Sequence, residues 1–325
     1  MKIKKKRAGK TGLIVALALL LLVIAGCQGG FGFGKKVQPQ TNTAFVGGVK
    51  GLEIAFAQDQ PPDSVLDSGQ QEFYLTLLLR NLGEYTIPAG GVIGSLSGVV
   101  QSSFGMKSLD VTNKVDVYGV SKEGANAIPG GEEQMEFGTA VFKPDLPADT
   151  KFILKADVCY TYQTKAVSTV CLKKNVLQKE TGEVCMINNA AVGEENSGAP
   201  MQIEQMKESS VGTSKVRINF KVVNKGIGAV YEPGTFTGKC AGMESEKNRV
   251  KVAVESADNT FNAACTQLSN GNSGVVTLVN NQKDMTCTID TGNMQDITFQ
   301  DLVIVKLDYQ YREAVTTQLV VTNAG

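Results

Sequence analysis

The residues of this 325-residue chain that could carry chemistry are seven cysteines, two Tyr-x-Tyr pairs and a few clustered carboxylates. Histidine and tryptophan are absent. Without His there is no Ser-His or Cys-His catalytic pair, and the commonest metal ligand is missing. Six cysteines, Cys159, Cys171, Cys185, Cys240, Cys265 and Cys287, are widely spaced, with no Cys-x-x-Cys among them. An even number of such cysteines reads as three structural disulfides and argues against zinc or redox chemistry. Tyr160-Thr161-Tyr162 recurs as Tyr309-Gln310-Tyr311. On strands, each pair of rings points to one face. The rings would either cap the end of a β-sandwich with their hydroxyls in water or form an aromatic binding platform.

The remaining candidates are weaker. Gly94-Ser95-Leu96-Ser97-Gly98 holds Leu where a nucleophile elbow needs Ser. Gly9-Lys10-Thr11 lacks the upstream glycine and strand of a phosphate loop. Asp59, Asp63 and Asp67 share one loop, but their spacing matches no calcium loop. Glu132-Glu133 and Glu194-Glu195 read as surface charge. The expectation is therefore a protein that is not an enzyme, with no catalytic residue, no metal and no cofactor.

Those residues must be positioned by the rest of the chain, and its start sets where. Lys2, Lys4, Lys5, Lys6, Arg7 and Lys10 form a basic end, followed by thirteen apolar residues from Leu13 to Ala25. That length suits the core of a signal peptide and falls short of the ~20 residues that span a bilayer. The run closes on Ile24-Ala25-Gly26-Cys27. This resembles the lipobox of secreted lipoproteins, which implies lipidation at Cys27. An uncleaved N-terminal membrane helix gives the same topology. Either way the chain is expected on the extracellular face of the cell membrane, anchored by lipid or by helix. Six of the 32 basic residues precede Cys27, so 26 face 32 acidic residues beyond it. No basic patch is interleaved with aromatics, so nucleic acid is not an expected partner. No Asn-x-Ser/Thr sequon occurs.

Glycine, Val, Thr, Ile and Asn recur and long helical periodicity is missing, which reads as strands and turns. The expected organisation is a signal peptide or anchor over 1–26 and a flexible tether over 27–47. A sandwich over 48–174, a connector over 175–199 and a second sandwich over 200–325 follow. The halves repeat. FYLTLLLRNLG (Phe73–Gly83) matches VRINFKVVNKG (Val216–Gly226), each closed by Asn-x-Gly, which is expected to supply a turn through positive φ. The stretch from Phe152 to Leu172 matches that from Leu302 to Val320, and each is expected to fold as a hairpin, the first turning near Thr164 and Lys165. On that hairpin Cys159 faces Cys171, in reach of a cross-strand disulfide. Cys265 and Cys287 would join adjacent strands, and Cys185 would fasten the connector to Cys240. A competing scheme joins Cys171 to Cys185.

LEIAFA, PPDSVLDSGQQ and FYLTLLLRNLG together resemble the CARDB-type and related Ig-like domains of archaeal and bacterial cell-surface lipoproteins. The resemblance implies an all-β chain of two tandem Ig-like antiparallel β-sandwiches after an N-terminal hydrophobic signal or anchor helix. It also implies a membrane-anchored structural or adhesion-type interaction module of the cell envelope, with a protein or glycan partner there. The alternative is a solute- or glycan-binding surface lipoprotein.

Overall fold

Two strands, one from each sequence repeat, run alongside each other through the middle of the molecule. The computed structural model describes residues 43–178, 184–187 and 191–325. The basic end, the apolar run, Cys27 and most of the tether lie outside the described residues. So does the expected N-terminal helix.

The first repeat gives β1 (Leu52–Phe56), β2 (Ser64–Leu66), β3 (Glu72–Asn81), β4 (Val92–Ser97) and β5 (Asp110–Thr112). It continues with β6 (Ser121–Glu123), β7 (Asn126–Ile128), β8 (Glu132–Val141) and the long β9 (Thr150–Leu172). β10 (Glu194–Asn196) lies in the connector. The second repeat gives β11 (Met201–Val211), β12 (Lys215–Asn224), β13 (Ala229–Tyr231), β14 (Arg249–Ser256) and β15 (Ala263–Cys265). β16 (Ser273–Thr277), β17 (Gln282–Asp290) and the long β18 (Phe299–Thr322) complete it. Among the described residues the helical content is one 3-10 turn, Glu244–Glu246. The protein is all-β, as its composition implies.

β9 and β18 pair antiparallel without a break, from Thr150 opposite Val321 to Leu172 opposite Phe299. They are the spine of a nine-stranded sheet in the order β16-β14-β18-β9-β4-β5, with β10 added to β9 and with β13 and β2 added to β18. A three-stranded sheet, β1-β3-β8, and a four-stranded sheet, β11-β12-β17-β15, supply the other layers. One contiguous core joins Leu75, Leu77 and Met135 of the first repeat to Ile218, Met285 and Leu307 of the second.

Neither expected terminal hairpin forms. Gln163-Thr164-Lys165-Ala166 contains no Asn-Gly, Gly or Pro to reverse the chain. Alternation continues straight through it instead: every second residue from Leu154 to Leu172 is buried. Each long strand finds its partner in the other repeat. Thr161 faces Gln310, its own counterpart, so an approximate two-fold axis passes through that pair. Because no turn intervenes, the same offset carries through the strand and the counterpart of Ala166 is Val315.

The Asn-x-Gly pairs also work differently from a positive-φ turn. Neither Gly83 nor Gly226 has positive φ. A Cβ on Gly83 would sit 2.0 Å from the Tyr162 hydroxyl oxygen, and one on Gly226 would sit 2.3 Å from that of Tyr311. Glycine is needed for close approach, and the Asn side chain closes the strand end by hydrogen bonding.

Candidate functional site

Around the two-fold axis the register sets Tyr160 opposite Tyr311 and Tyr162 opposite Tyr309. The four rings are 0–1 % exposed. Neighbouring centroids lie 5.7–6.2 Å apart, in tilted and edge-to-face arrangements. Each hydroxyl is held. Tyr162 donates to Asn81 Oδ1 at 3.0 Å, and Tyr311 donates to the equivalent Asn224 Oδ1 at 3.0 Å. Tyr160 donates to Glu313 Oε1 at 2.7 Å, and Tyr309 meets Thr164 Oγ1 at 3.1 Å. Thr164 and Glu313 are themselves counterparts. Burial pushes all four phenols above their ordinary range, with the Glu313 carboxylate adding to the shift at Tyr160. Glu313 is itself raised by burial, against the lowering effect of its Tyr160 hydrogen bond.

This corrects the expectation for the tyrosines. They are neither an open platform nor a cap whose hydroxyls reach water. The two strands on which they sit, β9 and β18, have no hairpin tip, and both repeats close over them. They form a packed, hydrogen-bonded centre that joins the repeats.

The cysteines pair as Cys159–Cys240, Cys171–Cys185 and Cys265–Cys287. Cys159 and Cys171 lie on one continuous strand, so the cross-strand bridge expected between them cannot form. Nor is Cys185 joined to Cys240. Cys240 belongs to a connection between β13 and β14 that lies on the outer face of the sheet. There Cys159, Ile93, Tyr231, Phe236 and Cys240 make a small core of their own. Gln310, at the two-fold axis, binds both Phe236 N–H at 2.7 Å and Phe236 C=O at 3.2 Å. The Cys159–Cys240 bridge therefore staples one repeat to the other.

Among the described residues no group of three metal-ligating side chains occurs. Asp67, from the loop that also carries Asp59 and Asp63, accepts N–H groups of Leu146 at 2.8 Å and Ala324 at 3.0 Å. It is a clamp on the C-terminal end. Those bonds, led by Leu146, hold its carboxyl below the ordinary range against the opposing effect of burial.

The feature left open is an edge. On its side away from β9, β18 is paired at Gln310–Arg312 by β13 and at Val320–Thr322 by β2. Between them, Glu313 to Leu319 has no strand partner on that side among the described residues. Val320 N–H points to that side, bonding Asp63 C=O at 3.0 Å. By ladder alternation Ala314, Thr316 and Gln318 turn their N–H and C=O groups the same way. Opposite runs the free edge of β1. The groove between them encloses about 340 Å³ and is lined by Gly51, Leu52, Ile54, Pro200, Ile227 and Val315, among others. Ile227 is 98 % exposed. Sequence reasoning passed over this edge because it assigned the stretch to a hairpin, in which both strands would be paired.

No family model matches the chain, and no curated protein matches it. Among solved structures it is similar to the secreted serine protease VesC of Vibrio cholerae, at 9 % identity and a TM-score of 0.20. That match covers 80 % of this chain and 50 % of the protease chain, so the chain spans half the protease's length. It is also similar to the serine-rich repeat adhesion glycoprotein Srr1 of Streptococcus agalactiae, at 11 % identity and a TM-score of 0.16 over 84 % of this chain and 96 % of that one. The collagen-binding domain of surface protein RspB of Erysipelothrix rhusiopathiae matches at 10 % identity and a TM-score of 0.11, covering 87 % and 91 %.

Proposed function

We propose that this chain is a non-catalytic interaction module on the outer face of the cell membrane, held there through its N-terminal lipid or helix and pairing with a protein of the envelope. The tandem Ig-like lipoprotein resemblance read from LEIAFA and the Asn-x-Gly strands belongs to the same proposal. Three disulfides support an oxidising, extracytoplasmic setting. The observation that carries the reading is the unpaired stretch of β18 between β13 and β2. Natural sheets cover or blunt an edge of this kind, and an edge left exposed is a template for another chain. The solute- and glycan-binding alternative needs aromatic rings open to a cavity, and the four tyrosines that would supply them are buried. Chemical cross-linking on intact cells, followed by identification of neighbours, tests the proposal. Recovery of envelope proteins joined through residues near Ala314–Gln318 is the expected result. Recovery of no envelope neighbour overturns it.

A further inference from the structure

The approximate two-fold axis makes the open groove comparable with a filled one. Its two-fold counterpart lies between β9 of the first repeat and β11 of the second, and β10 occupies it. Glu194, Glu195 and Asn196 pair antiparallel with Ser168, Val167 and Ala166 of β9. On the other side the Asn196 amide bonds both Ile203 N–H at 2.8 Å and Ile203 C=O at 2.9 Å. Glu194 Oε1 accepts Gln205 N–H at 2.9 Å. β10 is therefore a strand inserted between two edges, joined to one by its backbone and to the other by its side chains.

The open groove has the receiving parts without the insert, one edge from each repeat. Ile54 is the counterpart of Ile203: β1 sets it opposite Leu79, two residues before Asn81, as β11 sets Ile203 opposite Val222, two before Asn224. Its N–H and C=O face away from β3, because the flanking Gly51 and Ala57 are the residues bonded toward that strand. Val315 to Thr317 is the counterpart of Ala166 to Ser168. The inner face also records the difference. Thr164, Ala166 and Ser168 are buried, whereas Glu313, Val315 and Thr317 are all partly exposed.

The two sides differ at one position that holds the segment preceding β1. That segment would fill this groove if it followed the course of β10. It is drawn away by Glu84, whose carboxylate accepts Val46 N–H and Gly47 N–H, both at 2.9 Å, and Gly198 N–H at 2.6 Å. The position equivalent to Glu84 in the second repeat is Ile227, which offers no acceptor and stands in solvent.

We propose that the groove between β1 and β18 accepts one extended peptide strand of another protein, antiparallel to β18, with an Asn amide on Ile54 and an acidic residue two positions before it. This rests on the interaction-module reading and names the chemistry of its partner. Seven residues of open edge span roughly 23 Å, room for one short strand. β13 and β2 bound the gap along β18 and β1 walls it opposite, so a single strand fits where the edge of a second copy's sheet does not. The occupant extends a ladder already present on both sides of it. Main-chain bonds to Ala314, Thr316 and Gln318 give affinity, and the Asn and acidic side chains give selectivity, as in strand addition generally.

The test is hydrogen exchange on the full chain in detergent, with a synthetic capped peptide Gly-Glu-Glu-Asn-Ser-Gly, the sequence Gly193–Gly198, as the probe. At a peptide concentration ten times Kd, exchange at Thr316 and Gln318 is expected to slow about tenfold. The same peptide with Ala in place of Asn is expected to give no protection, a control that leaves the protein unaltered. The Thr316→Pro variant, which removes an N–H that no ladder bond uses, is expected to abolish the effect while keeping protection in β9. Absence of peptide-dependent protection, or equal protection by the Ala peptide, overturns the proposal. Protection that grows with protein concentration and no peptide also overturns it, in favour of a second copy. If envelope cross-links persist while the peptide fails, the interaction-module reading stands and this inference alone falls.

Discussion

Replacing Asn81 by Ala removes the clasp between the first Asn-x-Gly turn and the tyrosine centre. Asn81 is fully buried. Its Nδ2 donates to Tyr85 C=O at 2.7 Å and Val117 C=O at 3.1 Å. Its Oδ1 accepts from Gly83 N–H at 3.1 Å and from the Tyr162 hydroxyl at 3.0 Å. The substitution leaves these groups without their partner in a site closed to water. A buried donor or acceptor left unmade costs about 1–3 kcal/mol, so the two donors alone set a loss on the order of 2–6 kcal/mol. Asn224→Ala removes the equivalent bonds to Gly228, Gly226 and Tyr311. Asn224 is 8 % exposed and water can reach part of the vacancy, so about 2–3 kcal/mol is expected there. The informative assay is urea unfolding of the full chain under oxidising conditions, followed at probes in both repeats. Because β9 and β18 share one ladder and one core, each variant should move a single transition seen by all probes. Two transitions, with Asn81→Ala moving only the first, would refute the claim that the repeats fold as one unit. A cost below ~1 kcal/mol would refute the role assigned to Asn81.

Three further outcomes are expected. Gly83→Ala forces a methyl onto the Tyr162 hydroxyl and the Gly198 carbonyl and should destabilise the chain by more than ~3 kcal/mol, whereas Gly90→Ala, where a Cβ meets nothing, should cost only the ~1 kcal/mol of its positive φ, both read from urea midpoints. Burial raises the Glu208 carboxyl to about 7, opposed by its bond to Cys171 N–H. The native state thus holds a proton that the unfolded chain has released, so its contribution to stability is complete below the unfolded pKa of ~4.3 and is lost as pH rises through about 7. Glu208→Gln should flatten that dependence between pH 5 and 8 by roughly 2 kcal/mol; an unchanged profile would count against a buried Glu208. Asp67 has the opposite sign, since its carboxyl is held low, and Asp67→Asn should remove a loss of stability that wild type shows as pH falls below the carboxylate range.

Much of the architecture is legible in the sequence, and the reasons are specific. The alternation of EFYLTLLLRN and KVRINFKVVN identifies strands because one face must be buried. The recurrence of Asn-x-Gly and Tyr-x-Tyr identifies the repeat. What the alternation leaves undetermined is continuity. A hairpin and one long strand present the same period of two, and the missing turn residues at Gln163–Ala166 were the signal that separates them. That misreading carried the Cys159–Cys171 pairing and the exposed tyrosine tip with it, since both depend on a reversal that does not occur. The use of Asn81 and Asn224 as hydrogen-bond hubs is set by strands distant in sequence, β9 and β18, so the local motif alone suggests only a turn. The open groove is visible only when β10 is seen filling its equivalent.

The most direct test of the account is the disulfide map of the unreduced protein. If β9 is one continuous strand stapled to the second repeat, proteolytic peptides should be linked as Cys159–Cys240, Cys171–Cys185 and Cys265–Cys287. Recovery of Cys159 linked to Cys171 would require the chain to reverse near Thr164, and would contradict the shared ladder on which every other conclusion rests.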